Sequence, residues 1–348
     1  VSLPQFEYLE PKDLGETLDL LALHREQASL LAGGTDLLVR MKQRLEKPPF
    51  LISLKGLDQL SYIREQSDHL AIGAMTPLAS ILDSHVISNR YPALHQAVQR
   101  IGAAAIQHFR GTIGGNLCLQ SRCVFYNQSA FWRSGRPPCH KDHGQTCYAE
   151  ENSDRCRSAN QSDGACALTA LDAGIVLSSK RGQRVLTTEA FFTGKGEAPF
   201  ERDPDEMVTE IRLPLWRRGE GSSFQKLTYR SAVDFGLVSA AVALKLDGKE
   251  ISGARLVIGS AGAAPLLLKE ASGLLIGKAT SDRESIEHAA VQAGKHASAF
   301  MVNNLGATLE YRRKMAGVLA KRAILEALTT ATAGERNVAS LRKPKECN

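Results

Sequence analysis

An α+β fold in two units is predicted by three features of this 348-residue chain. Near the N-terminus the short apolar run Ala28 to Ala32 leads into Gly33-Gly34 and then into a helical pattern, giving strand, glycine turn, helix and strand. Further on, residues 214–221 read as a polar linker. Beyond them, strand patterns joined by an Asp247-Gly248 hairpin turn precede two long helical patterns, which describes a separate α+β unit. Between these units lies a cysteine-bearing stretch with no periodic apolar face, which burial alone cannot order.

Taken in order, Asp13 suits the N-cap of a helix to His24, with Leu14, Leu18 and Leu21 at helical spacing. Thr35 or Asp36 can cap a helix from Leu37 to Leu45 before a strand at Phe50 to Leu54. A glycine turn at a helix start leaves several unpaired N–H groups converging on one point, which favours a diphosphate. On local grounds alone, Gly33-Gly34 reads more readily as a glycine C-cap followed by a new helix cap, and its pairing with a second glycine segment is what sharpens the ligand reading. A strand at His69 to Ala74 and a helix at Pro77 to Leu82 follow, then a helix expected to run unbroken from Pro92 to Ile106. His108 is expected to serve as a structural hydrogen-bonding residue.

The stretch Gly111 to Ala173 organises the rest. Gly111-Thr112-Ile113-Gly114-Gly115-Asn116 is expected to form a second glycine turn at which backbone meets a bulky ligand, because glycine accepts positive φ and has no Cβ. Cys123, Cys139, Cys147 and Cys156 follow with spacing C-x15-C-x7-C-x8-C, unlike zinc ribbons or short-spaced ferredoxins. The spacing leaves a 4Fe-4S cluster and zinc equally open, with disulfides a third arrangement. Seven cysteines, an odd number, and no secretory pattern over Val1 to Asp13 favour a reducing, cytoplasmic setting. Cys118 and Cys166 could substitute as ligands or be small buried residues, and Cys347 reads as a surface thiol. Asp163 is a plausible cap for a helix to Leu171. Strands at Gly174 to Leu177 and Met207 to Leu213 follow, with the polar loop Phe192 to Asp205 expected to edge a site. Strands are then expected at Phe224 to Tyr229, Leu237 to Leu246 and Ala254 to Gly259. Helices are expected at Asp282 to Ser298 and Thr308 to Leu328, with a mobile tail from 331.

Composition excludes several function classes. A charge of +6 spread without a basic block, and 6% aromatic residues, argue against nucleic-acid binding. No apolar run reaches the ~20 residues that span a bilayer, so no membrane segment is expected. No Ser-His-Asp order or zinc-protease motif points to hydrolysis.

Thr112-Ile113-Gly114-Gly115-Asn116 together with Ala32-Gly33-Gly34-Thr35-Asp36-Leu37 resembles the FAD-binding subunit of the molybdenum hydroxylases, the xanthine dehydrogenase and carbon monoxide dehydrogenase family. The resemblance covers nearly the whole chain. Within it, the cysteine insert, with Cys123-Val124-Phe125-Tyr126-Asn127-Gln128-Ser129 and Trp132-Arg133-Ser134-Gly135, resembles the β subunits of 4-hydroxybenzoyl-CoA reductases. What the resemblance implies is an FAD-binding domain of the vanillyl-alcohol-oxidase-like type at 1–216, with subdomains at about 1–56 and 57–216 and a 4Fe-4S insert at about 119–160. A C-terminal domain of the carbon monoxide dehydrogenase flavoprotein type at 222–330 completes it.

The resemblance also supplies roles. It makes Cys123, Cys139, Cys147 and Cys156 the ligands of a 4Fe-4S cluster. Leu31, Ala32, Gly33, Gly34, Thr35, Asp36 and Leu37, then Ala103, Gly111, Thr112, Gly114, Gly115, Asn116 and Cys118, become FAD contacts. Ser162, Asp163, Val208 and Lys226 join them, the last as a cation approaching the flavin. Gln107-His108-Phe109 departs from the Ile-Arg-Asn-type run common in the family, which puts the local ring contacts in doubt. The implied partners are a molybdopterin-binding large subunit, a small subunit with two 2Fe-2S clusters, and ferredoxin as electron donor, in a dimer of heterotrimers. No catalytic side chain is expected, since electron transfer belongs to the cofactors. Two other readings stand beside this: the flavin subunit of an oxidative aldehyde or N-heterocycle hydroxylase, and a zinc-stabilised binding module without redox function.

Overall fold

The computed structural model describes residues 2–231 and 233–341. Strand β1 (Glu7–Leu9), helix α1 (Leu14–His24), strand β2 (Ala28–Leu31), helix α2 (Leu37–Lys42) and strand β3 (Phe50–Ser53) build the first subdomain. Its strands pair in parallel in the order β1-β3-β2. Asp13 starts α1 as its sequence position predicts, accepting the Glu16 N–H at 2.9 Å. Leu21 of α1 and Ile52 of β3 are buried together with Leu57, Leu60 and Met207, so the small sheet is held by a core that reaches into the next subdomain.

That second subdomain begins with β4 (Ile63–Glu65) and β5 (His69–Gly73). Six helices follow: α3 (Leu78–Leu82), α4 (His85–Arg90), α5 (Pro92–Gln99), α6 (Ile113–Leu117), α7 (Ala130–Ser134) and α8 (Asp163–Ala170). It closes with β6 (Gly174–Ser179), β7 (Gly182–Thr187), α9 (Thr188–Phe191) and β8 (Met207–Pro214). The five strands form an antiparallel sheet in the order β4-β5-β8-β6-β7. Leu94, Val98, Ile113 and Leu168 from the helices pack on Ile72, Ile175 and Ile211 from the strands.

The C-terminal unit comprises β9 (Glu220–Leu227), β10 (Val238–Asp247), β11 (Glu250–Gly259), β12 (Leu266–Leu267), α10 (Lys269–Gly273), α11 (Arg283–Ser298) and α12 (Leu309–Leu341). Its antiparallel sheet, ordered β12-β11-β10-β9, is apolar on both faces. Val242, Leu244 and Ile258 face α11 and α12, where Ile286, Ala320 and Ile324 meet them. On the opposite face Phe224, Ala241 and Val257 meet Ala93 and Ala97 of α5 and Cys166, Ala167 and Ala170 of α8. Small side chains on both helices allow this close approach and make the joint between the domains a continuous core. No helix among the described residues is long and apolar enough to cross a membrane.

Several boundaries differ from the sequence expectation. The helix from Pro92 stops at Gln99, Gly102 takes φ +54°, and Ala104–His108 winds as a separate π turn. Glycine's tolerance of positive φ lets the chain break there. Gly114 and Gly115 lie inside α6, which Thr112 caps by accepting the Gly115 N–H at 3.1 Å, so the second glycine pair is a helix start rather than a bend. Ser162, not Asp163, caps α8. The linker is shorter than expected, because β8 runs to Pro214 and β9 starts at Glu220. Helix α12 continues through Leu341 where a tail was expected, and Cys347 lies outside the described residues.

Candidate functional site

A cleft of about 920 Å³ opens where the two N-terminal subdomains and the C-terminal unit meet. This is near the upper end of ligand-pocket sizes and has room for a dinucleotide. One wall is the turn Ala32-Gly33-Gly34-Thr35-Asp36-Leu37. A second is Gly111, Thr112, Gly115, Asn116 and Cys118, and a third brings Val208, Asp163 and Lys226. Gly33 is indispensable at its place: a Cβ there would stand 1.6 Å from the Arg110 carbonyl oxygen, so the two glycine segments touch backbone to backbone. Gly34 takes φ +73°, the left-handed region that glycine enters without strain. Asp36 accepts a hydrogen bond from Arg122, whose guanidinium also lies over the Phe235 ring at 5.1 Å.

Behind the second wall, Asn116 Oδ1 accepts from the Ser162 hydroxyl at 2.8 Å and from the Gly164 N–H at 3.1 Å, locking α6 to the start of α8. Lys226 Nζ donates to Asp163 Oδ2 at 2.6 Å, to the Arg100 carbonyl at 3.0 Å and to the Asp234 carbonyl at 2.9 Å. An ammonium has three N–H donors, and all three are engaged. Burial pushes the Asp163 carboxyl up, and the Lys226 ammonium opposes that rise.

Cys123, Cys139, Cys147 and Cys156 all face one small cavity in the insert, together with Tyr126, His140 and Lys141. Burial pushes the Cys123 thiol up to about 12, and the thiolates of Cys156, Cys147 and Cys139 would repel its charge further. Burial also raises Cys156. Cys123 and Cys156 are thus the buried side of this cavity, and no three metal-ligating side chains among the described residues are drawn into a ligating set. The donor set suits a thiophilic centre, because sulfur predominates and no carboxylate faces the cavity. Lys141 lines it too, and its Nζ donates to Ser121 Oγ at 2.8 Å and to Gln120 Oε1 at 3.4 Å. Gln120 lines the large cleft, so one side-chain contact separates the two cavities. Burial lowers Lys141 to about 8.

Residues 4–216 match the family described as the FAD binding domain in molybdopterin dehydrogenase, and residues 222–327 match the carbon monoxide dehydrogenase flavoprotein C-terminal domain. The chain belongs to the FAD-binding medium subunits of the molybdenum hydroxylases. It is 30% identical to the nicotinate dehydrogenase FAD-subunit of Eubacterium barkeri, over 79% of this chain and 81% of that one. It is 29% identical to the carbon monoxide dehydrogenase medium chain of Hydrogenophaga pseudoflava, over 92% and 96% of the two. The solved carbon monoxide dehydrogenase of Hydrogenophaga pseudoflava that lacks the Mo-pyranopterin moiety superposes with a TM-score of 0.76 at 27% identity, covering 95% of this chain and 99% of that one. This medium subunit is therefore an FAD-binding oxidoreductase subunit, which sets aside a non-redox zinc module.

Of the positions singled out in the sequence, Leu31, Ala103, Gly114 and Ser162 do not line the cleft of the medium subunit. Leu31 ends β2 beneath Gly34, and Ala103 donates its N–H to Gln107 Oε1 at 2.9 Å. Gly114 packs on Ala74, where a Cβ would come within 2.7 Å of the carbonyl oxygen. Ser162 supports Asn116 from behind. Lys226 lines the cleft but is neither solvated nor free, since its side chain is only 2% exposed and paired. Cys118 belongs to the cleft and Cys166 to the interdomain core, so neither joins the four-cysteine cavity. His108 is structural as expected, its Nε2 3.0 Å from the Ile101 carbonyl. Sequence reasoning missed Arg122, Lys141 and Gln161. Only adjacency to Cys123, Cys139 and Ser162 could have drawn attention to them.

Proposed function

We propose that this medium subunit carries electrons in a molybdenum enzyme of the 4-hydroxybenzoyl-CoA reductase type. In that reading Cys123, Cys139, Cys147 and Cys156 hold a 4Fe-4S cluster that receives electrons from reduced ferredoxin. They pass through the FAD cleft to a small subunit with two 2Fe-2S clusters and a molybdopterin-binding large subunit, where the thioester is reductively dehydroxylated to benzoyl-CoA. The observation that carries it is the gathering of four insert thiols around one cavity that adjoins the flavin cleft through Lys141 and Gln120. The assembly proposed is a cytoplasmic dimer of heterotrimers.

Bound FAD supplies the exchange of electrons in pairs or singly, which suits a converter between one-electron centres. The protein's part is to position and insulate. The Gly33-Gly34 turn and Thr112-capped α6 would take the polar dinucleotide backbone, while Asp163, Asn116 and Val208 would border the remainder of the cleft. On the insert, Phe131 is 90% exposed beside Trp132, over which Arg136 lies at 4.0 Å. An aromatic and cationic face of this kind suits a small acidic electron carrier.

The test is metal and sulfide analysis of the chain purified without air. About four iron and four sulfide per FAD are expected, as a four-thiolate 4Fe-4S site requires. Cys123→Ser should remove them and leave FAD in place, and zinc without iron removes the cluster from the proposal. A second reading, an oxidative hydroxylase flavin subunit, draws on the relatives named as dehydrogenases of nicotinate and caffeine. Ferredoxin-dependent reduction of an aromatic thioester by the assembled complex separates the two.

A further inference from the structure

Among the described residues, five buried side-chain polar atoms lack a hydrogen-bond partner: Gln43 Oε1, Arg122 Nε, Asn160 Nδ2, Gln161 Nε2 and Thr188 Oγ1. Only Gln161 belongs to the lining of the large cleft. The residue is 4% exposed, and its Oε1 is already engaged, accepting from the Ser260 hydroxyl at 3.3 Å. The amide is thereby oriented, with its N–H₂ end left free. A buried donor without a partner is costly, and native chains retain one where a ligand or function satisfies it.

The neighbouring cation cannot fill this role. Lys226 spends its three donors on Asp163 and on the carbonyls of Arg100 and Asp234. Behind Gln161, Ser260 is itself fixed, because Gly236 packs so closely that a Cβ there would lie 2.8 Å from Ser260 Oγ. The Ser260 carbonyl accepts from Arg312 Nη2 at 2.8 Å, and Arg312 is fully buried. Gln161 thus rests on a rigid support that reaches back to α12.

We infer that Gln161 is a flavin-binding residue whose Nε2 donates to an acceptor atom of bound FAD, beside the Lys226 cation that the family resemblance places near the flavin. The inference rests on the flavin reading of the cleft. A neutral donor at this place holds an electron-rich acceptor without adding a charge, while the Asp163–Lys226 pair stays internally neutral. Where the second subdomain meets the C-terminal unit, the cleft wall therefore acts through an amide dipole that Ser260 holds in place.

The test uses the full chain stripped of flavin and titrated with FAD, comparing wild type with Gln161→Met and Gln161→Glu. Each variant is expected to weaken FAD about tenfold, the scale of one lost hydrogen bond in a buried site. In flavin-free Gln161→Met the loss of the unpaired N–H₂ offsets the loss of the acceptor for the Ser260 hydroxyl, whereas Gln161→Glu keeps that acceptor, so flavin-free Gln161→Glu should match the wild type in urea more closely than Gln161→Met does. Weakened FAD binding in both variants, whatever their flavin-free stability, separates ligand binding from a structural role. If the acceptor lies on the redox ring, the potential of bound flavin also falls in both variants, since the donor favours the electron-rich form. FAD binding within twofold of wild type in both variants overturns the inference. Failure of the wild type itself to take up FAD would instead remove the flavin reading.

Discussion

Lys226 Nζ and Asp163 Oδ2 lie 2.6 Å apart with side chains only 2% and 5% exposed. The pair joins β9 of the C-terminal unit to the first turn of α8 at the edge of the flavin cleft. Asp163 also sits where the positive end of a helix dipole favours a carboxylate. The pair is thus both an interdomain latch and part of the cleft wall.

Breaking it from one side should cost more than removing it whole. Lys226→Met strands a buried carboxylate and is expected to destabilise the flavin-free chain by about 3 kcal/mol or more. The double variant Lys226→Met with Asp163→Asn should recover most of that loss. Urea denaturation of the single and double variants checks it, and an additive double variant would show that the pair is not coupled.

The first glycine turn should discriminate between its two members. Gly33→Ala places a Cβ 1.6 Å from the Arg110 carbonyl and must force the two cleft loops apart. Gly34→Ala only strains a φ of +73°, a cost of about 1 kcal/mol. Loss of FAD from purified Gly33→Ala, with partial retention in Gly34→Ala, is the expected flavin content.

Asn304, buried in the C-terminal unit, helps tie down the base of the insert through its backbone and its side chain. Asn304 accepts the Val124 N–H on its own carbonyl at 2.9 Å, donates Nδ2 to the Arg157 carbonyl, and accepts from Arg312 at 3.3 Å. Val124 and Arg157 directly follow Cys123 and Cys156. Asn304→Ala should cost about 1–3 kcal/mol through the partners left unpaired. Iron content should fall while FAD content holds, and parallel loss of both would count against a local effect on the insert.

Acid stability should depend on Glu206. Its hydrogen bonds from Arg184 at 2.8 Å hold its carboxyl below the usual range. A depressed folded value means the stabilisation is full above the unfolded carboxylate value of about 4.3 and is lost as pH falls through the folded one. Glu206→Gln should therefore be less stable than wild type at pH 7, with the difference shrinking on acidification below about 4. A difference that grows on acidification would reverse the assigned sign.

Much of the fold was legible because its signals are local. Asp13 and Asp282 cap the helices they precede, and Asp247-Gly248 turns a hairpin where expected. Conversely, the break after Gln99 and the α6 helix at Gly114 differ from the sequence expectation because glycine serves both positive φ and close packing. Only the neighbours, Gln107 for Gly102 and Ala74 for Gly114, show which requirement applies.

By itself the sequence determined the order of elements, the two glycine segments, the four insert cysteines and the family resemblance, since each is carried by residues close together in the chain. Tertiary structure alone decided that Lys226 is spent on Asp163, that Cys118 and Cys166 stand apart from the other four thiols, and that Gln161 holds the free donor in the cleft. Those outcomes depend on which partners reach residues 161, 163 and 226 from 100, 234 and 260. Hydrogen-bond satisfaction and burial are properties of that assembled neighbourhood, which no local spacing encodes.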